Sequence, residues 1–397
     1  MKRLLRISFD LSLLSFIPII SWFLLGIIID KNLINIFTLT YPLQFIYYIF
    51  KSIFSTGANI NKEKDLNNDA TMSGLVIGSI LSTLVFGIIL FNIDDYISFM
   101  NMDISLYKTF AIYSILELYI SLEFSFILNK LYYEEKNVLA NKYSVIFNLL
   151  NFILLIATSL ITKNQTVIVI ATIIPLFIFT LILIIKNSDK FKLKLDILKC
   201  IKYDSVELFN NIAFLLIFLF GLSNALEYGD KYALALTFIS LITDTQWDTF
   251  DAIVTSATID ISKNCFNYKQ SIKNAYKLLG ILFSSSLLMF IILYSFYDLD
   301  FVITMIYFSF EIINFILYPI YRTKTCYLQL EWSSFKITSN KIVASALRMF
   351  LSLLKSPFCT GIGQVSSSIY QFITVSLFFK LNYKVDDSGN VISKSTN

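Results

Sequence analysis

The chain predicts an all-α integral membrane protein, with about twelve transmembrane helices in two six-helix lobes. Three observations carry that prediction. Hydrophobic residues fill 56% of the 397 positions, charged residues fill 15%, and mean hydropathy is +0.69. A soluble domain of this length could not cover its surface with so few polar groups. Apolar segments of bilayer length recur along the whole chain, and the basic residues gather on alternate connections between them.

The segments, each roughly 15–25 residues long, fall into two sets of six. The first set is 7–29, 33–54, 72–91, 104–128, 143–161 and 166–185. The second is 206–222, 232–258, 276–297, 301–320, 341–354 and 358–379, of which 341–354 is short and carries Arg348. With the N-terminus inside, 25 of the 32 basic residues lie on cytoplasmic connections and 5 outside, while Lys51 and Arg348 lie within segments. That asymmetry predicts cytoplasmic N- and C-termini, an even number of spans and a place in the cell membrane. MKRLLR before an apolar run resembles a secretory signal. The run nevertheless contains Trp22 and ends in IDKN without a small-residue cleavage site, which predicts a retained helix.

The division is 1–185 as the N-terminal lobe, 186–205 as a cytoplasmic linker, 206–379 as the C-terminal lobe and 380–397 as a cytoplasmic tail. The linker, KNSDKFKLKLDILKCIKYDS, alternates apolar residues with lysines and is expected to lie as a helix on the membrane surface, where anionic lipid attracts it. A weak internal repeat supports the same division. FSTGANINKEKDLNNDATMSGLVIG at 54–78 and VTSATIDISKNCFNYKQSIKNAYKLLG at 254–280 share small residues, A-x-I, a polar loop, then Ala and Gly. Six helices per half give both halves one orientation, related by a pseudo-two-fold axis along the membrane normal.

Several chemistries are disfavoured. There are no histidines, the four cysteines lack CxxC spacing and read as separate thiols in apolar surroundings, and no GxxxxGK[ST] is present. Neither an enzyme nor a nucleotide-driven pump is expected, nor a cofactor or a nucleic-acid partner.

STGANI…DLNNDATMSG resembles the end of helix two and the start of helix three in multidrug and toxic compound extrusion (MATE) transporters. VELFNNIAFLLIFLFGLSNALEYGDKYALALTFISLI, with its early glutamate, later glycine and alanine-rich start of helix eight, is similar to the same family. The wider superfamily includes polysaccharide and lipid-linked oligosaccharide flippases. The resemblance implies two lobes around a central cavity and export of a small, cationic molecule by alternating access, from a chain read as a monomer in the bilayer. The coupling ion would be Na⁺ or H⁺.

Eight acids fall within the apolar segments: Asp10, Glu117, Glu123, Glu207, Asp244, Asp248, Asp251 and Glu311. A carboxylate at a helix centre costs about 2.5–3.5 kcal/mol on insertion scales. Asp244, Asp248 and Asp251 share one face mid-helix and are read as a cation site, against the alternative that they pair with Arg348 or with Asn and Thr side chains. Glu207 matches the early helix-seven glutamate of the family and becomes a coupling-ion ligand by resemblance, with Asn210 and Asn211 beside it. Its alternative is an interfacial pair with Lys199 or Lys202. Glu311 matches the family's helix-ten acid and is read as lining the cavity, against a buried pair with Arg348. Glu117 and Glu123, six apart, point to different faces. Pro18 is a candidate hinge or a static kink. Trp247 stacks on a cationic substrate or packs between helices. A lipid-linked saccharide flippase is the second functional reading, weakened by eight acids against two bases in the segments.

Overall fold

The computed structural model describes residues 20–394, except 31–32, 34, 66, 101, 135, 189–191, 204, 263–264, 295–298 and 332–333, together with Leu4 and Ile17. Asp10 and Pro18 lie outside the described residues. The chain forms two compact units, Ile17–Leu219 and Met1–Phe16 with Phe220–Asn397.

The first unit holds α1 (20–28), α2 (Asn35–Lys51), a π-turn (Ser52–Gly57), α3 (Ala58–Asp65), α4 (Ala70–Phe91) and α5 (Ile93–Phe99). It continues with α6 (Ile104–Tyr133), α7 (Asn137–Ile161), α8 (Gln165–Asn187), α9 (Ile197–Tyr203) and the first part of α10 (Ser205–Glu227). Large apolar side chains fill its interior. Trp22 meets Phe110 and Tyr113 edge-on, and Phe124 stacks on Phe147 at 4.4 Å. Phe45 of α2 stacks on Phe214 and Phe218 of α10.

The stretch after residue 54, expected as a solvated loop, instead continues the helix. The π-turn carries α2 into α3, and Asn59 and Asn61 are each 1% exposed. Their polar side chains have partners that a hydropathy reading does not anticipate. Thr71 Oγ1 donates to Asn59 Oδ1 (2.7 Å), Asn61 Nδ2 donates to Asp65 Oδ2 (2.9 Å), and Asn67 Nδ2 donates to Asn61 Oδ1 (3.1 Å). The π-turn also lies against α9. A Cβ on Gly57 would stand 2.7 Å from the Cys200 carbonyl oxygen, so only glycine permits this approach.

The linker is not one helix. Among its described residues, 192–196 are non-helical, Ile197–Tyr203 forms the short helix α9, and the ends belong to α8 and α10. The physical reason is Ser73 in the first turn of α4, whose hydroxyl accepts from Lys194 N (2.8 Å) and donates to Lys192 O (3.2 Å). Those bonds tie the non-helical backbone to the start of α4. Asp196 then caps α9 by accepting from Lys199 N at 3.1 Å.

The second unit holds the remainder of α10, α11 (Asp230–Ser262), α12 (Tyr268–Tyr294), α13 (Phe301–Glu331), α14 (Ser334–Ser352) and α15 (Cys359–Asn382). A hairpin of β1 (Tyr383–Val385) and β2 (Val391–Ser393) follows where a plain tail was expected. Its turn is built by Asp386, which accepts from Ser388 Oγ and Asn390 N, both at 2.8 Å. It rests on the α11–α12 connection, where Asn267 Nδ2 donates to Ser388 O (2.7 Å) and Tyr268 N to Gly389 O (2.8 Å). Among the cysteines, Cys200, Cys326 and Cys359 are buried, whereas Cys265 on that connection is exposed and departs from the expected apolar setting.

Six helices with described residues are long and apolar enough to cross a membrane: Ala70–Phe91, Ile104–Leu131, Val138–Ile161, Gln165–Asn187, Tyr268–Ile291 and Phe301–Leu328. Several helices run beyond their apolar segments. Arg322 and Lys324, expected on a cytoplasmic connection, lie on α13. Hydropathy marks only the lipid-facing part of a helix, while the backbone hydrogen-bond ladder continues past it. Lys324 sits near the rings of Tyr268, Phe372 and Phe379 and donates to Ser376 Oγ at 2.9 Å.

Candidate functional site

In the second unit a polar cluster forms around Glu311, about a third of the way along α13 and 9% exposed. Trp247 Nε1 of α11 donates to Glu311 Oε2 at 3.2 Å, and Gln364 Nε2 of α15 donates to the same oxygen at 3.1 Å. Gln364 Oε1 in turn accepts from Arg348 Nη2 of α14 at 3.2 Å. Side chains of α11 and α15 therefore meet on the α13 carboxyl group, and α14 joins them through Gln364. Trp247 also tilts against Phe315 (5.4 Å) and meets Tyr318 edge-on (5.2 Å), so it both packs the interface and donates into the cluster.

Local sequence explains why Gln364 can stand between α13 and α14. It follows CTGIG at the start of α15, where a Cβ on Gly363 would lie 2.8 Å from the Arg348 carbonyl oxygen. The missing side chain lets α14 and α15 approach until the arginine and the glutamine meet. One turn along α13 from Glu311, Asn314 is completely buried, with its amide beside the Glu311 carboxyl group. A completely buried amide next to a buried carboxyl group marks this part of α13 as polar by construction.

The direct Glu311–Arg348 pair considered from sequence is replaced by this glutamine bridge. Gln364 and Asn314 were not anticipated, because neither residue type is unusual enough to stand out alone. For Asn314 the available signal was its place one turn from Glu311 on α13; for Gln364 there was none within its own helix. Asp244, Asp248 and Asp251 occupy successive turns of α11, on the helix that carries Trp247, but their side chains lie outside the described residues. The same holds for Glu207 and Asn210 on α10. Asn211 is described and half-buried on α10, in the first unit.

Two further intramembrane acids lie in the first unit and diverge, as their spacing on α6 requires. Glu123 accepts from Ser79 and Ser82 of α4, the latter at 2.8 Å. Glu117 accepts from Asn151 of α7, whose own oxygen accepts from Tyr113 at 2.9 Å. Both carboxyl groups are held by neutral donors.

Comparison by sequence matches no family model and no curated protein. Solved structures do match. A multidrug resistance MATE family transporter of the MOP superfamily aligns in its outward-facing conformation with a TM-score of 0.64 and 14% identity, covering 96% of each chain. The inward-facing conformation of a transporter of the same description gives 0.64 and 14%, over 96% of this chain and 98% of that one. A MATE structure in a bent conformation gives 0.62 and 14%, over 96% and 95%. The likeness is one of fold, extends over nearly the whole chain, and agrees with the resemblance seen in STGANI and VELFNN. The chain has the multi-pass helical fold of MATE transporters.

Proposed function

We propose that this protein is a MATE-type multidrug transporter that exports organic cations by alternating access, coupled to entering Na⁺ or H⁺. The observation that carries the reading is Glu311. It is buried within a membrane-crossing helix, and its direct hydrogen-bond partners, Trp247 and Gln364, are neutral. Such a carboxylate costs about 2.5–3.5 kcal/mol to keep in a bilayer. Binding one small cation there removes a unit of local negative charge. Releasing it restores the charge, and a conformational equilibrium that differs in hydration of the site shifts accordingly. Asp244, Asp248, Asp251, Glu207 and Asn211 complete the proposed cation and substrate set. Twelve helices, two lobes, cytoplasmic termini and a single working copy in the cell membrane belong to the same proposal. No observation favours the saccharide-flippase alternative.

The test is efflux of a fluorescent organic cation from proteoliposomes under imposed Na⁺ or H⁺ gradients, comparing the parent with Glu311→Gln. One gradient is expected to drive efflux in the parent and to lose its effect in the variant. Gradient-driven efflux that is unchanged in Glu311→Gln would remove Glu311 from the mechanism. Efflux indifferent to both gradients would remove coupling altogether.

A further inference from the structure

We infer that residues 192–202 of the first unit form a docking surface for the headgroups of anionic phospholipids. Three features converge there. The first is depth. Ser73 lies in the first turn of α4, a helix that crosses the membrane, and its hydroxyl is bonded to the backbone of both Lys192 and Lys194. Just before the segment the chain leaves α8 at Asn187, whose carbonyl accepts from Lys130 Nζ. Both attachments hold the segment level with the ends of membrane-crossing helices, which is the headgroup region.

The second feature is charge. Lys192, Lys194, Lys199 and Lys202 are exposed, and the acid within the segment is Asp196. Lys199 is engaged with Asp65 at 3.3 Å, which leaves three lysines directed outward around a fixed backbone. The third is exposed apolar surface interleaved with that charge: Leu193 is 66% exposed and Leu198 is 79% exposed, with Ile197 beside them. Leucines so exposed are out of place against water but not against the acyl boundary of a leaflet. Lysines on the same ribbon would meet the phosphates above it. A free phosphate ion would account for the lysines and leave the leucines unexplained, so the occupant is a lipid. This surface belongs to the Ile17–Leu219 unit and is independent of the transport reading.

The test uses the full chain reconstituted in vesicles. Leu198→Cys in a Cys265→Ser background places one accessible thiol on the surface, since the other cysteines are buried. An environment-sensitive fluorophore on that thiol is then quenched by brominated lipids at equal mole fraction. Brominated phosphatidylglycerol is expected to quench more than brominated phosphatidylcholine by roughly twofold or more. Lys192→Gln, Lys194→Gln and Lys202→Gln together should bring the ratio to about one, while the three Lys→Arg substitutions should preserve it. Equal quenching by both lipids in the parent overturns the inference, as does a preference that survives the glutamine substitutions. Loss of the preference on adding inorganic phosphate would reassign the lysines to a soluble anion.

Discussion

Substituting Gly57 by alanine isolates the contact between the π-turn and the linker. The new Cβ would stand 2.7 Å from the Cys200 carbonyl oxygen and 3.0 Å from both the carbonyl carbon and the Cβ of Cys200. Ordinary contact begins at 3.4 Å, so α9 must retreat by about 0.7 Å. Two of the opposing atoms are backbone, and no side-chain rotation relieves them. Overpacking of this kind costs about 1–3 kcal/mol. Alanine is intrinsically better than glycine in a helix by roughly 0.5–1 kcal/mol. That gain is present whether or not α9 is docked, so it leaves the docking equilibrium unchanged. Cys200 reports that equilibrium directly. It is completely buried, and burial, reinforced by Asp196, pushes its thiol up to about 11. Alkylation at constant pH should therefore be slow in the parent and faster in Gly57→Ala by roughly five- to 140-fold, the factor that 1–3 kcal/mol implies. Exposed Cys265 gives the internal reference, and Gly87→Ala, which meets nothing within 4 Å, is the control. Equal labelling of Cys200 in parent and Gly57→Ala would refute the tight docking of α9 on the π-turn.

Three further outcomes are expected. Trp247→Phe retains the ring contacts with Phe315 and Tyr318 but deletes the donor to Glu311. It should lower stability by only about 1 kcal/mol, yet alter the gradient dependence of efflux; an unchanged dependence would confine Trp247 to packing. Ser82→Ala removes one of the two hydroxyl groups on Glu123 and should destabilise the fold by about 1–3 kcal/mol, read as a lower melting temperature in detergent. No shift would show that Ser79 alone suffices. In the hairpin, hydrogen bonds from Ser388 and Asn390 hold the exposed Asp386 carboxyl below the usual carboxylate range. A depressed carboxyl contributes stability above its unfolded value and loses it as pH falls through the folded one. Amide exchange in β1 and β2, corrected for intrinsic rates, should therefore accelerate below about pH 4, and Asp386→Asn should abolish that pH response.

Composition and the lysine asymmetry determined the class of this protein, because a chain with so little charge cannot be soluble and lysines resist crossing a bilayer. Apolar runs of bilayer length also located most of the helices. Glu311 was legible for the same reason: an acid in FSFEIINF is expensive in lipid and stands out against its neighbours. Tertiary structure decided everything that depended on who meets whom. Asn59 and Asn61 read as loop residues by polarity, yet they are buried, with Thr71 donating to Asn59 and with Asp65 and Asn67 pairing Asn61. The linker read as a helix by its alternation, yet Ser73, some 120 residues earlier, bonds the backbone of its non-helical first part. Gln364 was invisible until Gly363 brought α14 and α15 close enough for it to bridge Arg348 and Glu311. Hydropathy is a property of each residue summed over a window. Hydrogen-bond satisfaction is a property of pairs, and only the folded chain brings the pairs together.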